Sequence, residues 1–299
     1  MPLLENVIFA TDFTSASTNA GLYASGLSKR LGTNLVVAHG FALIQAALEV
    51  EMDKPLHSQQ RANLQFDLAA VAKTLDSVLG VAEPVLLDGD PRRVIPLFAQ
   101  TKNVSVIVLG THGRGAVDRH IFGSTAEAII QHSKGLTLTV GTKVKTLQSR
   151  TWNPRRILYA TDCSQGTAHG ASSAVAWADA FEAELDVLNI IHPKQVSHPE
   201  QLHLVEQHFY GAVDSVIPNL PGQRYSPRTF VRTGEFVDEI VSHIREREID
   251  LLVIGLRHGH DGIQNHSSGA FSIIIEAECP VLTVALCSNA VVMPARGAA

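Results

Sequence analysis

The chain has 299 residues, with 24 Lys and Arg against 29 Asp and Glu and a net charge of -5, a length that matches about two domains of roughly 150 residues each. With no Lys/Arg cluster beyond the segment around Lys143, Lys145, Arg150, Arg155 and Arg156, this balance argues against a nucleic-acid or anionic-membrane partner. No segment reads as a signal peptide or as an apolar span of about 20 residues, so a soluble, cytoplasmic protein is expected, and the cysteines Cys163, Cys279 and Cys287, all in the second half, exclude a disulfide framework bracing the whole chain.

In chain order, the first half predicts strands over about 5–10, 34–39, 83–87, 104–109 and 136–141, and helices over about 15–31, 56–80, 91–102 and 124–133. Runs such as Val104-Ser105-Val106-Ile107-Val108-Leu109 are nearly continuous and β-branched, as strands covered on both faces are. Helix starts are signalled by Ser15 and Ser58, by Asp90-Pro91 with proline in the first turn, and by Ser124 with Glu127 three residues on as a capping box. Thr142 to Pro154 is polar and basic and reads as a solvated linker. The second half repeats the alternation, with strands over about 155–160, 185–190, 228–232, 250–254 and 281–286 and a long helix over about 198–217. Cys279, ahead of Pro280 and the last strand, reads as a small buried residue, and Ser288 to Ala299 as a small-residue tail. The pattern predicts an α/β fold of two domains, 1–142 and 155–287, joined by 143–154 and followed by 288–299, each a five-stranded parallel sheet with helices on both faces.

An internal repeat underlies this plan. Ala10-Thr11-Asp12 returns as Ala160-Thr161-Asp162, each after a short apolar run, Val7-Ile8-Phe9 and Ile157-Leu158-Tyr159. Thr11 to Thr161 is a step of 150 residues, Gly89 to Gly234 and Gly110 to Gly255 are steps of 145, and Leu138 to Leu282 is a step of 144. So slow a drift means that the elements keep their order and only loops change length. One domain is written twice.

The first copy carries a glycine-rich loop, Gly110-Thr111-His112-Gly113, then nine residues, then Gly123-Ser124-Thr125. In a parallel sheet a ligand lies beyond the carboxyl ends of the strands, where both this loop and Thr11-Asp12 fall. A phosphate close to the backbone needs positions without a Cβ and free N–H groups, and the helix begun at Gly123-Ser124-Thr125 offers unpaired amides and a positive dipole end. His112, Arg114 and Arg119 can add positive charge. Read singly, Gly123-Ser124 is also an ordinary helix cap and Asp12 a cap for the helix near Ser15; together, at this spacing between strand and helix, they point to a phosphate site.

The motif Gly110-x2-Gly113-x9-Gly123-Ser124, with Ala10-Thr11-Asp12 ending the first strand, resembles the ATP-binding signature of the universal stress protein family, and the resemblance covers nearly the whole chain as two tandem copies. It implies a tandem Rossmann-like fold of the adenine nucleotide alpha hydrolase type. It further implies that Ala10, Thr11, Asp12 and Gly40 border adenine and ribose, that Leu109, Gly110, His112 and Gly113 line ribose and the first phosphates, and that Gly123, Ser124 and Thr125 hold the outer phosphates, with Arg114 nearby. Gly40 stands where the family often has valine. Family members commonly pair through the last strand, so Leu136 to Val140 and Val281 to Leu286 are expected to meet across the halves as an intrachain pseudo-dimer, with association of two chains left open. The implied function is ATP binding, with Mg2+ as a companion ion, by a stress-response sensor or adaptor acting on an unknown protein partner.

The second copy departs from the signature. Counting back from Leu282-Thr283-Val284 puts Ser267-Ser268 where Gly123-Ser124 stand, whereas counting forward from Gly259 reaches Gly269-Ala270, which lacks the hydroxyl; either way Leu256, Arg257 and His258 separate Gly255 from Gly259 by one residue too many. The nucleotide is therefore expected mainly in the first half. His192, His198, His203, His208, His258, His260 and His266 crowd the second half, which leaves open an alternative: a module for another small molecule or for zinc. No G-x-x-x-x-G-K-[ST] loop and no evident base beside the phosphates are present, with Asp118 only a candidate for metal or water contact, so catalysis is not expected beyond slow hydrolysis. Motifs of nucleotidyl-transfer enzymes (His-x-Gly-His, Ser-Gly-Gly-x-Asp-Ser) and of Rossmann dehydrogenases are absent.

Overall fold

The computed structural model describes residues 3–42, 54–77, 80–111, 122–162, 168–195, 199–217, 227–257 and 267–286. In the first half the strands are β1 (Asn6–Ala10), β2 (Asn34–Phe41), β3 (Glu83–Asp88), β4 (Ser105–Gly110) and β5 (Leu136–Val140), and the helices α1 (Ser15–Leu31), α2 (Lys54–Thr74), α3 (Pro91–Thr101) and α4 (Ser124–His132). The second half has β6 (Arg156–Ala160), β7 (Glu184–Ile191), β8 (Arg228–Thr233), β9 (Leu251–Arg257) and β10 (Val281–Leu286), with α5 (Ala168–Phe181), α6 (Pro199–Val216), α7 (Phe236–Arg247) and α8 (Ser267–Glu276). The helix expected to reach residue 80 stops at Thr74, and Asp76–Ser77 pairs with Gly80–Val81 instead.

All ten strands form one sheet, in the order β8-β7-β6-β9-β10-β5-β4-β1-β2-β3. Within each half every neighbouring pair is parallel, and the halves are joined by one antiparallel pair, β5 with β10, in the register Leu136↔Val284, Leu138↔Leu282 and Thr139↔Val281. The expected meeting of the last strands is thus present inside the chain. Alternating strand residues feed two faces. On one, Val7, Phe9, Leu138, Val140, Tyr159, Leu282 and Val284 pack on α1, α2, α5 and α6 in a core continuous across both halves. On the other, α3, α4, α7 and α8 cover separate clusters. Cys279 is buried there, and burial pushes its thiol well above the usual range. Among the described residues no helix is long and apolar enough to cross a membrane.

The segment joining the halves is more tightly held than a solvated linker. Trp152 is buried, edge-on to Tyr23 at 5.3 Å between ring centroids and 6.1 Å from Phe181. Gly26 of α1 makes room for it, since a Cβ there would lie 2.8 Å from the Trp152 nitrogen. The Tyr23 hydroxyl donates to the Lys145 carbonyl at 3.1 Å, and Asn19 Nδ2 to that of Val144 at 3.2 Å. Each of these aromatic contacts contributes about 0.5–1.5 kcal/mol beyond area burial. The basic side chains are exposed, while backbone carbonyls, the Trp152 indole, Val144 and Leu147 hold the segment in place, a pattern that charge composition alone conceals.

An internal comparison isolates one polar feature of the second core. Steps of 150 and 145 residues place Asp186 and His243 where the first half has Val36 and Phe98. Asp186 is 1% exposed and accepts from Arg228 Nε at 3.1 Å and Arg247 Nε at 3.1 Å, with His243 Nε2 at 3.4 Å. Burial alone would raise this carboxyl, but the His243 and Arg247 hydrogen bonds and the two guanidinium charges hold it below the usual carboxylate range. A depressed folded-state pKa gives stability that is fully present above the unfolded value and is lost as pH falls from there through the folded one. Asp186→Ala is expected to cost about 3–5 kcal/mol, whereas the double change Asp186→Val/His243→Phe, which copies the first half, is expected to recover most of that loss. The double variant should also lose less stability than the parent as pH falls below about 4. Urea unfolding midpoints across pH measure both effects.

Candidate functional site

β1 and β4 lie side by side, but the chain leaves them in opposite directions, to β2 on one side and β5 on the other, and a crevice opens beyond their carboxyl ends at such a switch point. The turn after β1 forms one wall. Thr11 N–H donates to the Ala38 carbonyl at 3.0 Å, continuing the β1–β2 ladder. Asp12 Oδ1 accepts from the Thr14 N–H at 3.1 Å and from its hydroxyl at 2.6 Å. Thr14, not Ser15, caps α1, its side chain accepting from Ser17 N–H; such a cap stabilises the helix by about 1 kcal/mol. Asp12 is thus no cap itself but fixes the residue that is.

Phe13 lies in the left-handed region at φ 64°, a conformation that persists in a bulky residue only when its surroundings impose it. Here its N–H donates to Thr11 Oγ1 at 3.1 Å, and its ring lies 4.6 Å from that of His39. His39 Nδ1 is 2.7 Å from the Thr11 carbonyl, and because a carbonyl can only accept, that nitrogen carries a proton. Phe13, Thr14 and His39 were not among the expected site residues. The available signal was His39 itself, a histidine directly after the apolar run Leu35-Val36-Val37-Ala38.

The opposite wall comes from β4 and α4. The side chains of Ala10 and Leu109 share a cluster with Ala126 and Ile129, so α4 is seated directly over the β1–β4 boundary. The Thr111 carbonyl accepts from Gly123 N–H at 2.8 Å, pinning the two ends of the loop together. Gly123 is the N-cap of α4 and makes no side-chain cap hydrogen bond. The expected capping box does not form: with Gly123 as the cap, Glu127 stands one residue too far along, and its carboxylate accepts from Gln131 Nε2 at 2.9 Å. Ser124 and Thr125 are exposed. The structure therefore brings together Ala10, Thr11, Asp12, Leu109 and Gly110 with Gly123, Ser124 and Thr125, while His112, Gly113 and Arg114, like Asp118 and Arg119, lie outside the described residues.

Gly40 has a packing reason of its own. It stands next to last in β2, opposite Leu87, and a Cβ on it would fall 2.6 Å from Pro91 Cα in the first turn of α3. The second half has Ile190 and Phe236 at the matching positions.

In the second crevice Thr161 N–H donates to the Leu188 carbonyl at 3.0 Å, as Thr11 N–H does to that of Ala38, with Asn189 in the place of His39, but the opposite wall differs. β4 leaves the ladder at Gly110↔Val140, whereas β9 continues past Gly255↔Val284 through Leu256↔Ala285 and Arg257↔Leu286. Leu256 is buried with Ala270 and Phe271. In α8, Ala277 N–H donates to Ile273 at 2.8 Å as Ser133 N–H donates to Ile129 at 2.9 Å in α4, which holds the 144-residue step and puts Ser267 in the place of Gly123. The alignment through Gly269-Ala270 is excluded, since Gly269 lies inside the helix. His192 pairs with Glu235 at 3.1 Å, and His203 and His208 are exposed on α6. His198, His258, His260 and His266 lie outside the described residues, and among the described residues no group of three or more His, Cys, Asp or Glu is arranged to hold a metal.

The sequence profile of the universal stress protein family matches residues 4–140 and again 153–285. The chain belongs to the universal stress protein family. A protein of Staphylococcus saprophyticus described as a universal stress protein is 35% identical over 89 residues, covering 29% of this chain and 53% of that one, so the chain spans about half the length of the curated relative it matches. Among solved structures, a universal stress protein from Archaeoglobus fulgidus superposes with a TM-score of 0.68 at 17% identity, covering 95% of this chain and 99% of that one. A functionally unknown protein from Pseudomonas aeruginosa does so with a TM-score of 0.58 at 13% identity, covering 95% and 93%. The double profile match establishes a tandem universal stress protein, and the structural likenesses its Rossmann-like fold.

Gly40 leaves this universal stress protein no room for a side chain against the first turn of α3. Restoring valine through Gly40→Val is expected to lower stability by about 1–3 kcal/mol through overpacking against α3, read as a lower denaturation midpoint. An unchanged midpoint would show that α3 shifts without cost.

Proposed function

We propose that the chain is an adenine-nucleotide-binding universal stress protein that holds one ATP in the first half and acts as a nucleotide-dependent sensor or adaptor for a protein partner. The observation that supports this reading is the difference between the two crevices. In the first, the strand ends at Gly110 and α4 opens on Gly123 with no side-chain cap; in the second, the strand runs on through buried Leu256 and the helix opens on Ser267. Uncapped first-turn amides and the exposed Ser124 and Thr125 hydroxyls suit anionic oxygens. On the opposite wall, Thr11, Asp12 and the Gly40 backbone suit ribose and base. A Mg2+ accompanying the nucleotide would be held mainly by phosphates and water, since the described residues supply no cluster of ligands for it.

Calorimetric titration with ATP is expected to give one site per chain, and two equal sites, or none, would overturn the reading. Gly113→Val, which sets a branched side chain where the signature needs bare backbone, is expected to abolish that binding while the denaturation midpoint of the unliganded protein stays close to the parent's.

A further inference from the structure

Among the described residues, an aromatic contact joins the first crevice to the second half. Phe122, the residue before the α4 cap, has its ring centroid 5.0 Å from that of Phe271 on α8. Phe122 packs against two clusters at once: that of Ala10, Leu109, Ala126 and Ile129 beneath the crevice, and that of Phe271, Ile273 and Ile274 in the second half. Phe271 is 8% exposed, and its helix is tied to the joining segment by the Lys143–Glu276 ion pair. The contact has no twin. The 144-residue step puts Glu127 in the place of Phe271 and His266 in that of Phe122, and Glu127 is bonded along its own helix to Gln131.

We infer that Phe271, contributed by the half that departs from the signature, is a positioning residue for the first half's site. It holds Phe122, which fixes Gly123 with its N–H on the Thr111 carbonyl and so aims the first-turn amides of α4. The effect on ligand affinity rests on the nucleotide reading above; the effect on Gly123 does not. Hydrogen exchange on the unliganded full chain tests the second directly, because Gly123 N–H is protected by a bond that the aromatic pair keeps in place. In Phe271→Ala and in Phe122→Ala, exchange at Gly123 is expected to quicken about 2- to 12-fold, the range an aromatic pair supports, with the double variant no faster than either single one. Phe122 is half-exposed, so its truncation leaves the core intact, and Ile240→Ala, a cut in the second core on α7, controls for general loosening and should leave Gly123 unchanged. ATP affinity is expected to fall by a similar factor in the two phenylalanine variants alone. Unchanged exchange at Gly123 in Phe271→Ala, additive effects in the double variant, or an equal response in Ile240→Ala would each overturn the inference. Faster exchange in a protein whose parent binds no ATP would uphold the positioning and overturn the nucleotide reading.

Discussion

The antiparallel pairing of β5 with β10 is the constraint from which the rest of the architecture follows. Each half alone would end in an open strand edge, a template for unwanted association; joined, the two edges satisfy each other and make one ten-stranded sheet. The seam has two chemically different faces. Leu138, Val140, Leu282 and Val284 point to the side where α1 and α5 carry the continuous core, while Thr137, Thr139 and Thr283, all buried, point toward α4 and α8. Thr283 donates its hydroxyl to the Thr137 carbonyl at 3.2 Å, but the hydroxyls of Thr137 and Thr139 find no partner among the described residues. Because unsatisfied buried hydroxyls weaken a contact, the aliphatic face and the indoles beside it carry most of the joining energy.

The same pairing explains why the two halves were free to diverge. Once the sheets share a core, neither half has to be stable by itself, and local features can differ where the seam is not involved. The Val36/Phe98 contact of the first half is a buried charge cluster in the second, centred on Asp186. Gly40 and Pro91 are replaced by Ile190 and Phe236. Strand β9 gains two paired residues, with Leu256 buried where Thr111 turns the chain out of the sheet. Each change lies near one end of a strand, where the ladder has fewest neighbours to disturb.

Much of this was legible in residue order alone. The repeat and all ten strands follow from apolar runs and their spacing, because strands covered on both faces write themselves as nearly unbroken β-branched segments, whereas the pairing of the last strands was implied by the family resemblance. What escaped depended on contacts between distant residues. The joining segment looks basic and solvated, yet Trp152 is recruited by Tyr23 and Phe181 from helices on either side of it. The capping box at Ser124 and Glu127 had the right spacing but the wrong start, since the carbonyl of Thr111 captures Gly123 and moves the cap back by one. Gly40 stood out only as a departure from the family's usual valine, while its geometry answers to Pro91. The wall built from Phe13 and His39 depends on a positive φ, which no spacing rule announces.

Fusion permits one thing that association of identical subunits does not. In a two-fold dimer every substitution appears on both sides of the axis, so a residue cannot be optimised as a support in one copy and as part of a ligand loop in the other. In a single chain the residues on the two sides are independent. The Phe122–Phe271 contact uses that freedom, because the position facing it across the pseudo-axis carries Glu127, whose carboxylate serves its own helix. A half that has lost the glycine at its helix start therefore need not be a relic. It remains bound into the shared sheet and presents a buried aromatic surface to its neighbour, and a phenylalanine beneath one helix start is compatible with a glutamate beneath the other only because the two halves are encoded separately.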